Sequence, residues 1–290
     1  MQEPRKRVII TGAGGLLGTR VNGAFRANGD WDVHALSHAD LDITQEDQVA
    51  RVFAEVRPDL VVHCAAYTRV DDCESHRALA DAVNGEGAGI VARKAALSGA
   101  RLIHFSTDYV FEGDARRPYR EEDPPGDPEK LSAYGRSKLL GEERVRAACP
   151  DALIVRTAWV YGPDGACFPR TILKAAREKP ELRVVNDQTG TPTYAMDLAQ
   201  AILRLAETDA RGIVHVTNTG QCTWYEFACE LVRLAGLNVR VIPVTTEEFP
   251  RPARRPKYSV LDNSRHVQLT GAPMRSWREA AADYVRDFER

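Results

Sequence analysis

No stretch of the chain approaches 18 consecutive apolar residues, so no membrane-spanning helix is expected. The basic start Arg5-Lys6-Arg7 runs into an apolar segment that breaks almost at once at Gly12, too short for a signal peptide. Neither sign of charge dominates. The 39 Lys and Arg face 41 Asp and Glu, for a formal net charge of -2, and the pI is about 6.4, so no nucleic-acid surface is expected. Cysteine is sparse: Cys64, Cys73, Cys149, Cys167, Cys222 and Cys229 include no Cys-x-x-Cys pair and no His spacing suited to zinc. They read as reduced thiols, and no metal is expected. Internal repeats and low-complexity segments are absent too. What remains is a globular chain of 290 residues, 43% hydrophobic and 28% charged, able to bury a sizeable core in one large domain or up to two. A cytoplasmic enzyme is the default expectation.

The stretch from which chemistry is read most directly is Tyr134-Gly-Arg-Ser-Lys138. If it is helical, four residues make close to one turn, and phenol and ammonium share a face. A nearby cation favours the phenolate, which would move proton donation from the ordinary value of about 10 toward neutral pH. Alone, the pair is more often an ordinary solvated helix face than a site, and its context decides.

That context starts at the first strand, Val8-Ile9-Ile10, followed by TGAGGLLG with glycines at 12, 15 and 18 and then an amphipathic segment to Asn28-Gly29. Strand, glycine turn and helix in this order form a dinucleotide site: Gly12 for the tight turn, Gly15 for backbone approach to a pyrophosphate, Gly18 for close helix packing. Leu16 and Leu17 accompany them. The second strand, 32–36, ends in Ser37 and His38 where NAD sites usually carry an acid, so NADPH is expected, with NADH open because Asp40 is near. Residues 41–44 read as a short third strand with Thr44 as the N-cap of the next helix. A continuous apolar strand at 60–64 is of the kind a parallel sheet buries, with His63 a core residue and Ala65, Ala66 and Tyr67 at its carboxyl end. A helix is expected near 84–98 and a strand at 102–105, ending in Ser106-Thr107-Asp108-Tyr109, where a ligand crevice lies in an open α/β sheet. The Pro-rich acidic run 116–129 is a loop expected to border the substrate. The Tyr134 helix runs to 148 and a strand covers 152–156, ending in Thr157-Ala158-Trp159-Val160-Tyr161. Further strands are expected at 182–185, 213–216 and 239–244, with helices near 171–178, 196–206 and 224–235. Prolines 250, 252 and 256 hold an extended path through Arg251, Arg254, Arg255 and Lys257, which suits a nucleotide diphosphate or a solvated basic loop.

Together TGAGGLLG, STDYVFEG, YGRSKLLGE, RTAWVYG, NDQTGTPTY and RPARRPKYSVLDN resemble the extended short-chain dehydrogenase/reductases, and among them the dTDP-4-dehydrorhamnose reductases, almost end to end. The resemblance implies an α/β fold: a Rossmann-type doubly wound parallel sheet with a smaller, interleaved C-terminal substrate domain. Residues 1–160 would form the former and 161–290 most of the latter, some segments returning to the main sheet. It implies NADPH- or NADH-dependent reduction of dTDP-4-dehydro-6-deoxy-L-mannose to dTDP-L-rhamnose. Thr107, Tyr134 and Lys138 carry over as catalytic. Asp108, Tyr109, Trp159 and Arg255 carry over on the sugar-nucleotide side, Asp42 and Ile43 as adenine contacts, and Ala65, Ala66, Tyr67, Tyr134 and Lys138 as cofactor contacts beside Ser37 and the glycine turn. The expected partners are the sugar nucleotide and a second copy of the chain as a homodimer, with neither nucleic acid nor membrane. Cys167-Phe168-Pro169 departs from the family's Asn-Phe-Val, and Cys64 replaces a small polar residue. Two other readings share these motifs. One is a sugar-nucleotide dehydratase or epimerase, although Tyr109 stands where dehydratases place an acid. The other is a non-enzymatic NADP-binding subunit resembling the regulatory subunit of methionine adenosyltransferase.

Overall fold

The computed structural model describes residues 5–288. In chain order the elements of the first half are β1 (Lys6–Thr11), α1 (Leu16–Asn28), β2 (Trp31–Leu36), α2 (Glu46–Val56), β3 (Leu60–His63), α3 (Val70–Ser75), α4 (Arg77–Ala80), a π-helical turn Asp81–Gly87, α5 (Ala88–Ser98), β4 (Arg101–Thr107), a 3₁₀ turn Asp108–Val110, α6 (Ala133–Ala148) and β5 (Leu153–Thr157). The second half adds β6 (Val160–Tyr161), α7 (Phe168–Glu178), β7 (Glu181–Val185), β8 (Thr189–Gly190), β9 (Thr193–Tyr194), α8 (Ala195–Ala206), β10 (Gly212–His215), β11 (Cys222–Thr223), α9 (Trp224–Leu234), β12 (Arg240–Val244), α10 (Ser264–Thr270) and α11 (Trp277–Phe288).

Six parallel strands form the main sheet in the order β10-β5-β4-β3-β1-β2. Alternation explains the layering. Val8 and Ile10 join a core made with α1 and α8 on one face. Ile9, between them, points to a second core made with α2, α5 and α6 on the other. A strand covered on both faces must be apolar at every position, which is why Leu60 to Val62 form an unbroken apolar run. Chain order reverses where β1 is flanked by β2 and β3, the position at which such sheets open a ligand crevice. From the second half, β10 returns to this sheet, pairing Gly212–His215 with Leu153–Arg156.

A separate core gathers α7, α9 and α11 around the paired strands β7 and β12. Along α11 the buried residues are Trp277, Ala280, Ala281, Tyr284 and Val285, a stripe at helical spacing.

Residues 41–44 are not a strand. Leu41 and Ile43 are buried as strand alternation suggests. However, the Asp42 carboxylate accepts from both the N–H and the hydroxyl of Thr44, at 2.9 and 2.7 Å, closing a turn instead. Thr44, so engaged, is not the N-cap of α2; Gln45 is. Nor does the loop 116–129 line the main cavity described below, which touches Glu112, Gly113 and Asp114 upstream of it. The loop is held elsewhere: Tyr119 N–H donates to Val260 O at 2.8 Å, and its carbonyl accepts from Asp262 N–H at 2.7 Å.

Candidate active site

Two glycines shape the cofactor turn. Gly12 has φ +64°, and a Cβ on it would lie 2.7 Å from the backbone of Ala65, two residues after β3. A Cβ on Gly18 would lie 2.1 Å from the Gly12 carbonyl, so its lack of a side chain lets the start of α1 close onto the turn, while Val21 and Phe25 further along pack on the strands. Gly15 caps α1 with no side-chain hydrogen bond, leaving the first N–H groups of a 13-residue helix free. This cradle fits the pyrophosphate of a dinucleotide. Leu16 and Leu17 open the helix, and Leu17 packs on the sheet core.

At the end of β2 the structure modifies the sequence reading. Ser37 donates from its N–H and its hydroxyl to Asp40 Oδ2, at 2.9 and 2.6 Å. A carboxylate therefore does stand beside Ser37: it is Asp40, whose nearness in the sequence kept NADH open, brought back by a tight turn. Asp42 and Ile43 follow, the latter buried beneath Gly87.

Ala65, Ala66 and Tyr67 leave β3 toward the crevice. Ala65 N–H donates to Thr11 Oγ1 at 3.3 Å. Tyr67 is gripped from both sides by Asn84: its N–H donates to Asn84 Oδ1 at 2.7 Å, and Asn84 Nδ2 donates to Tyr67 O at 3.0 Å and to Ser137 Oγ at 2.9 Å. Asn84 sits in the π-helical turn and ties this loop to α6. Sequence reading placed only a helix start there; nothing in its spacing marked the side chain.

α6 begins where Ser132 accepts from Gly135 N–H at 3.1 Å and Glu74 accepts from Ala133 N–H at 2.8 Å. Its first turn presses on the β4 loop so closely that a Cβ on Gly135 would lie 2.3 Å from Tyr109 O. This contact delivers Tyr134 to Thr107. The Thr107 hydroxyl faces the phenol, donates to Asp108 Oδ1 at 3.0 Å and accepts from Tyr109 N–H at 3.3 Å. The ring of Tyr109 meets that of Tyr134 edge-on, with centroids 5.5 Å apart.

Burial dominates the electrostatics. It pushes the Tyr134 phenol above its ordinary range, contrary to the expectation that Lys138 lowers it. Desolvation outweighs the hydrogen bond with Thr107, and the phenol holds its proton. Lys138, 3% exposed, is pushed down to about 8 by burial, opposed by Glu142. Asp108, 1% exposed, is pushed up to about 6 by burial against the Thr107 hydroxyl. His63 is the core residue expected: Thr11 Oγ1 lies 2.7 Å from its Nδ1, and burial pushes it down to about 3.

Beyond Tyr109 opens a cavity of about 1090 Å³, lined among others by Phe168, Trp224, Arg251, Arg254 and Arg255. Asp71 of α3 organises the arginines. Its Oδ2 accepts from Arg251 Nη2 at 2.6 Å, and its Oδ1 from Arg255 Nη1 at 2.5 Å and from Ala253 N–H at 3.2 Å. Arg254 Nη1 donates to Lys130 O at 3.0 Å. Trp159 has φ +47°, unusual for a non-glycine residue. Its half-buried indole stacks on Trp224, with centroids 3.5 Å apart and planes 6° from parallel. It is thus neither a core indole nor a free crevice wall, but the inner half of an aromatic shelf whose outer half lines the cavity. At the other departure noted in the sequence, Cys167 caps α7 and Pro169 sits within its first turn, where a missing N–H costs nothing.

Comparison with known proteins agrees with this geometry. The chain is 44% identical over 287 residues to dTDP-4-dehydrorhamnose reductase of Streptomyces griseus, covering 97% of this chain and 93% of that one. It is 43% identical over 290 residues to a probable dTDP-4,6-dihydroxy-2-methyloxan-3-one 4-ketoreductase of Streptomyces antibioticus, covering 97% and 95%. A crystal structure of dTDP-4-dehydrorhamnose reductase from Bacillus anthracis in complex with NADP superposes with a TM-score of 0.93 at 41% identity, covering 98% of this chain and all of that one. The model of the family described as RmlD substrate binding domain matches residues 6–290, and the chain belongs to that family.

Proposed function

We propose that the protein reduces the 4-keto group of dTDP-4-dehydro-6-deoxy-L-mannose with NADPH, giving dTDP-L-rhamnose for polysaccharide synthesis in the cytoplasm. The observation that carries this reading is the convergence of Thr107, Tyr134 and Tyr109 at one end of an arginine-lined cavity, on a glycine cradle suited to a dinucleotide. When bound, the nicotinamide supplies the hydride. The chain's own part is to place and protonate the carbonyl oxygen. Thr107 turns its hydroxyl proton from Asp108 to that oxygen, and Tyr134 gives it a proton. A phenol raised by burial stays protonated at neutral pH, which is the form an acid needs in the reductive direction, and the alkoxide it meets is the stronger base. Lys138 holds the nicotinamide ribose and adds a positive charge beside the developing anion. Arg255, with Arg251, faces the diphosphate; Asp108, Tyr109 and the Trp159–Trp224 shelf face the sugar. Residues 1–160 carry the cofactor, and most of 161–290 the nucleotide sugar.

Dehydration fits poorly, because the residue after Asp108 is Tyr109, whose buried phenol is pushed upward and cannot serve as a base near pH 7. A bare NADP-binding role leaves the pairing of buried Thr107 with half-buried Tyr134 without a purpose. Incubation with NADPH and a panel of dTDP-4-keto-6-deoxy sugars, with products identified by NMR, tests the assignment. The L-mannose-configured ketone should be used with a kcat/KM at least about tenfold above its epimers, a margin of about 1.4 kcal/mol. Preference for another ketone moves the substrate while leaving the reaction class standing.

A further inference from the structure

Lys138 is out of contact with water, and its charge must be held there by the groups packed around it. Cys64, at the end of β3, has its thiol pushed well above the ordinary range by burial and is neutral. His63 of β3 and His104 of β4 stack with centroids 5.3 Å apart, and burial together with the lysine's own charge keeps both neutral. Glu142, one turn further along α6, is the anion in this shell. It is fully buried, and both its oxygens are taken by Arg156 of β5: Nε donates to Oε1 and Nη2 to Oε2, each at 2.8 Å. Arg156, 1% exposed, rests over the Phe111 ring at 5.0 Å, with neutral His215 of β10 beyond. Arg146, a turn along α6, and Ser106 of β4 add to the positive field on Glu142.

We propose that Glu142 is a positioning residue that keeps Lys138 cationic in the dry active site, with Arg156 holding the carboxylate ionised and fixed for that task. The proposal rests on the reading of Lys138 as a cofactor-side group. On a solvated helix an i, i+4 acid and lysine would bridge directly. Here the carboxylate is spent on Arg156 in a two-point contact, so it cannot take the lysine's proton and acts through its field alone. Burial of Glu142 favours its neutral form, but Arg156 outweighs this and keeps it ionised. Burial works against the ammonium and Glu142 works for it; Arg156 offsets part of the carboxylate's field, and what is left is what the lysine feels. A pair serving only stability would leave Lys138 indifferent to its removal.

NADP⁺ affinity measured across pH separates these roles without any sugar substrate, so its outcome stands even if the proposed reduction fails. In the wild type affinity should fall as pH rises through about 8, where Lys138 loses its proton. Lys138→Met should flatten the profile. In Glu142→Gln/Arg156→Met, where a buried pair is exchanged for neutral groups of similar size, the protein should melt near wild type. Its midpoint should nonetheless drop by about one pH unit, the scale of one charge at helix-neighbour distance. Glu142→Asp, which keeps the charge, should hold the midpoint within about half a unit of wild type, and it provides the comparison should the double variant fold poorly. A double variant with the wild-type midpoint, a midpoint lost in Glu142→Asp, or a profile that survives Lys138→Met overturns the proposal.

Discussion

Asp108 stands in the site at a cost to the fold. Its carboxyl titrates near 6 in the folded chain, against an ordinary 3.8. Stability from this group is therefore fully present below the unfolded value and is lost as pH rises through about 6, a loss on the order of 3 kcal/mol. Asp108→Asn should raise the melting temperature at pH 8 more than at pH 4 while lowering turnover. A pH-independent change in melting would show that the carboxyl is not strained in the folded state. Ser37 and Asp40 raise a second residue-scale question. The carboxylate that hydrogen-bonds Ser37 is exposed at the end of β2, and on the proposed cofactor placement it would meet an adenosine 2′-phosphate. Asp40→Asn should raise the ratio of NADPH to NADH affinity by roughly three- to tenfold, limited by solvent screening, and Ser37→Asp should lower it. Ratios unmoved by either change would place the ribose elsewhere.

Among the elements, the proline-spaced segment carrying Arg251, Arg254 and Arg255 crosses from the side of the α7, α9 and α11 core to meet Asp71 of α3, and two guanidiniums on one carboxylate leave a surplus positive charge facing the cavity. Arg255→Met should raise KM for the sugar nucleotide by roughly tenfold or more, from the loss of a charged hydrogen bond, with kcat changed far less. Equal falls in kcat and kcat/KM would instead tie Arg255 to the chemical step. These elements differ in how much of them the sequence revealed. The buried parallel strands and α6 were legible because apolar runs and helical spacing are local signals. Residues 41–44 misled because one alternation, Leu41 and Ile43, serves a buried turn as well as a strand, and only the Asp42 side chain decides between them. α10 and α11 escaped, although α11 bears a clear apolar stripe. The shelf of Trp159 on Trp224 was invisible, since rings 65 positions apart in the chain meet only through the fold.

For the whole molecule, Thr107, Tyr134 and Lys138, proposed as the catalytic set, were readable as a motif, whereas what surrounds them was not. Asp71 reaches Arg255 across 184 positions and Asn84 reaches Ser137 across 53, contacts that no local pattern announces. The expectation that Lys138 lowers the Tyr134 phenol failed for a related reason, because burial is a property of the assembled core. The turn after β1 forms the proposed cofactor cradle and α6 carries Tyr134, while the elements around the core of α7, α9 and α11 supply much of the cavity wall, and the proposed reaction needs both in register. The most direct test is NADPH oxidation with dTDP-4-dehydro-6-deoxy-L-mannose, run side by side for wild type and Tyr134→Phe, with NADPH binding measured on each. The account predicts steady oxidation by the wild type, a fall of roughly 10²- to 10⁴-fold in the variant, and equal NADPH binding by both. Turnover by Tyr134→Phe close to the wild-type rate, or no turnover by a wild type that binds NADPH normally, would contradict it.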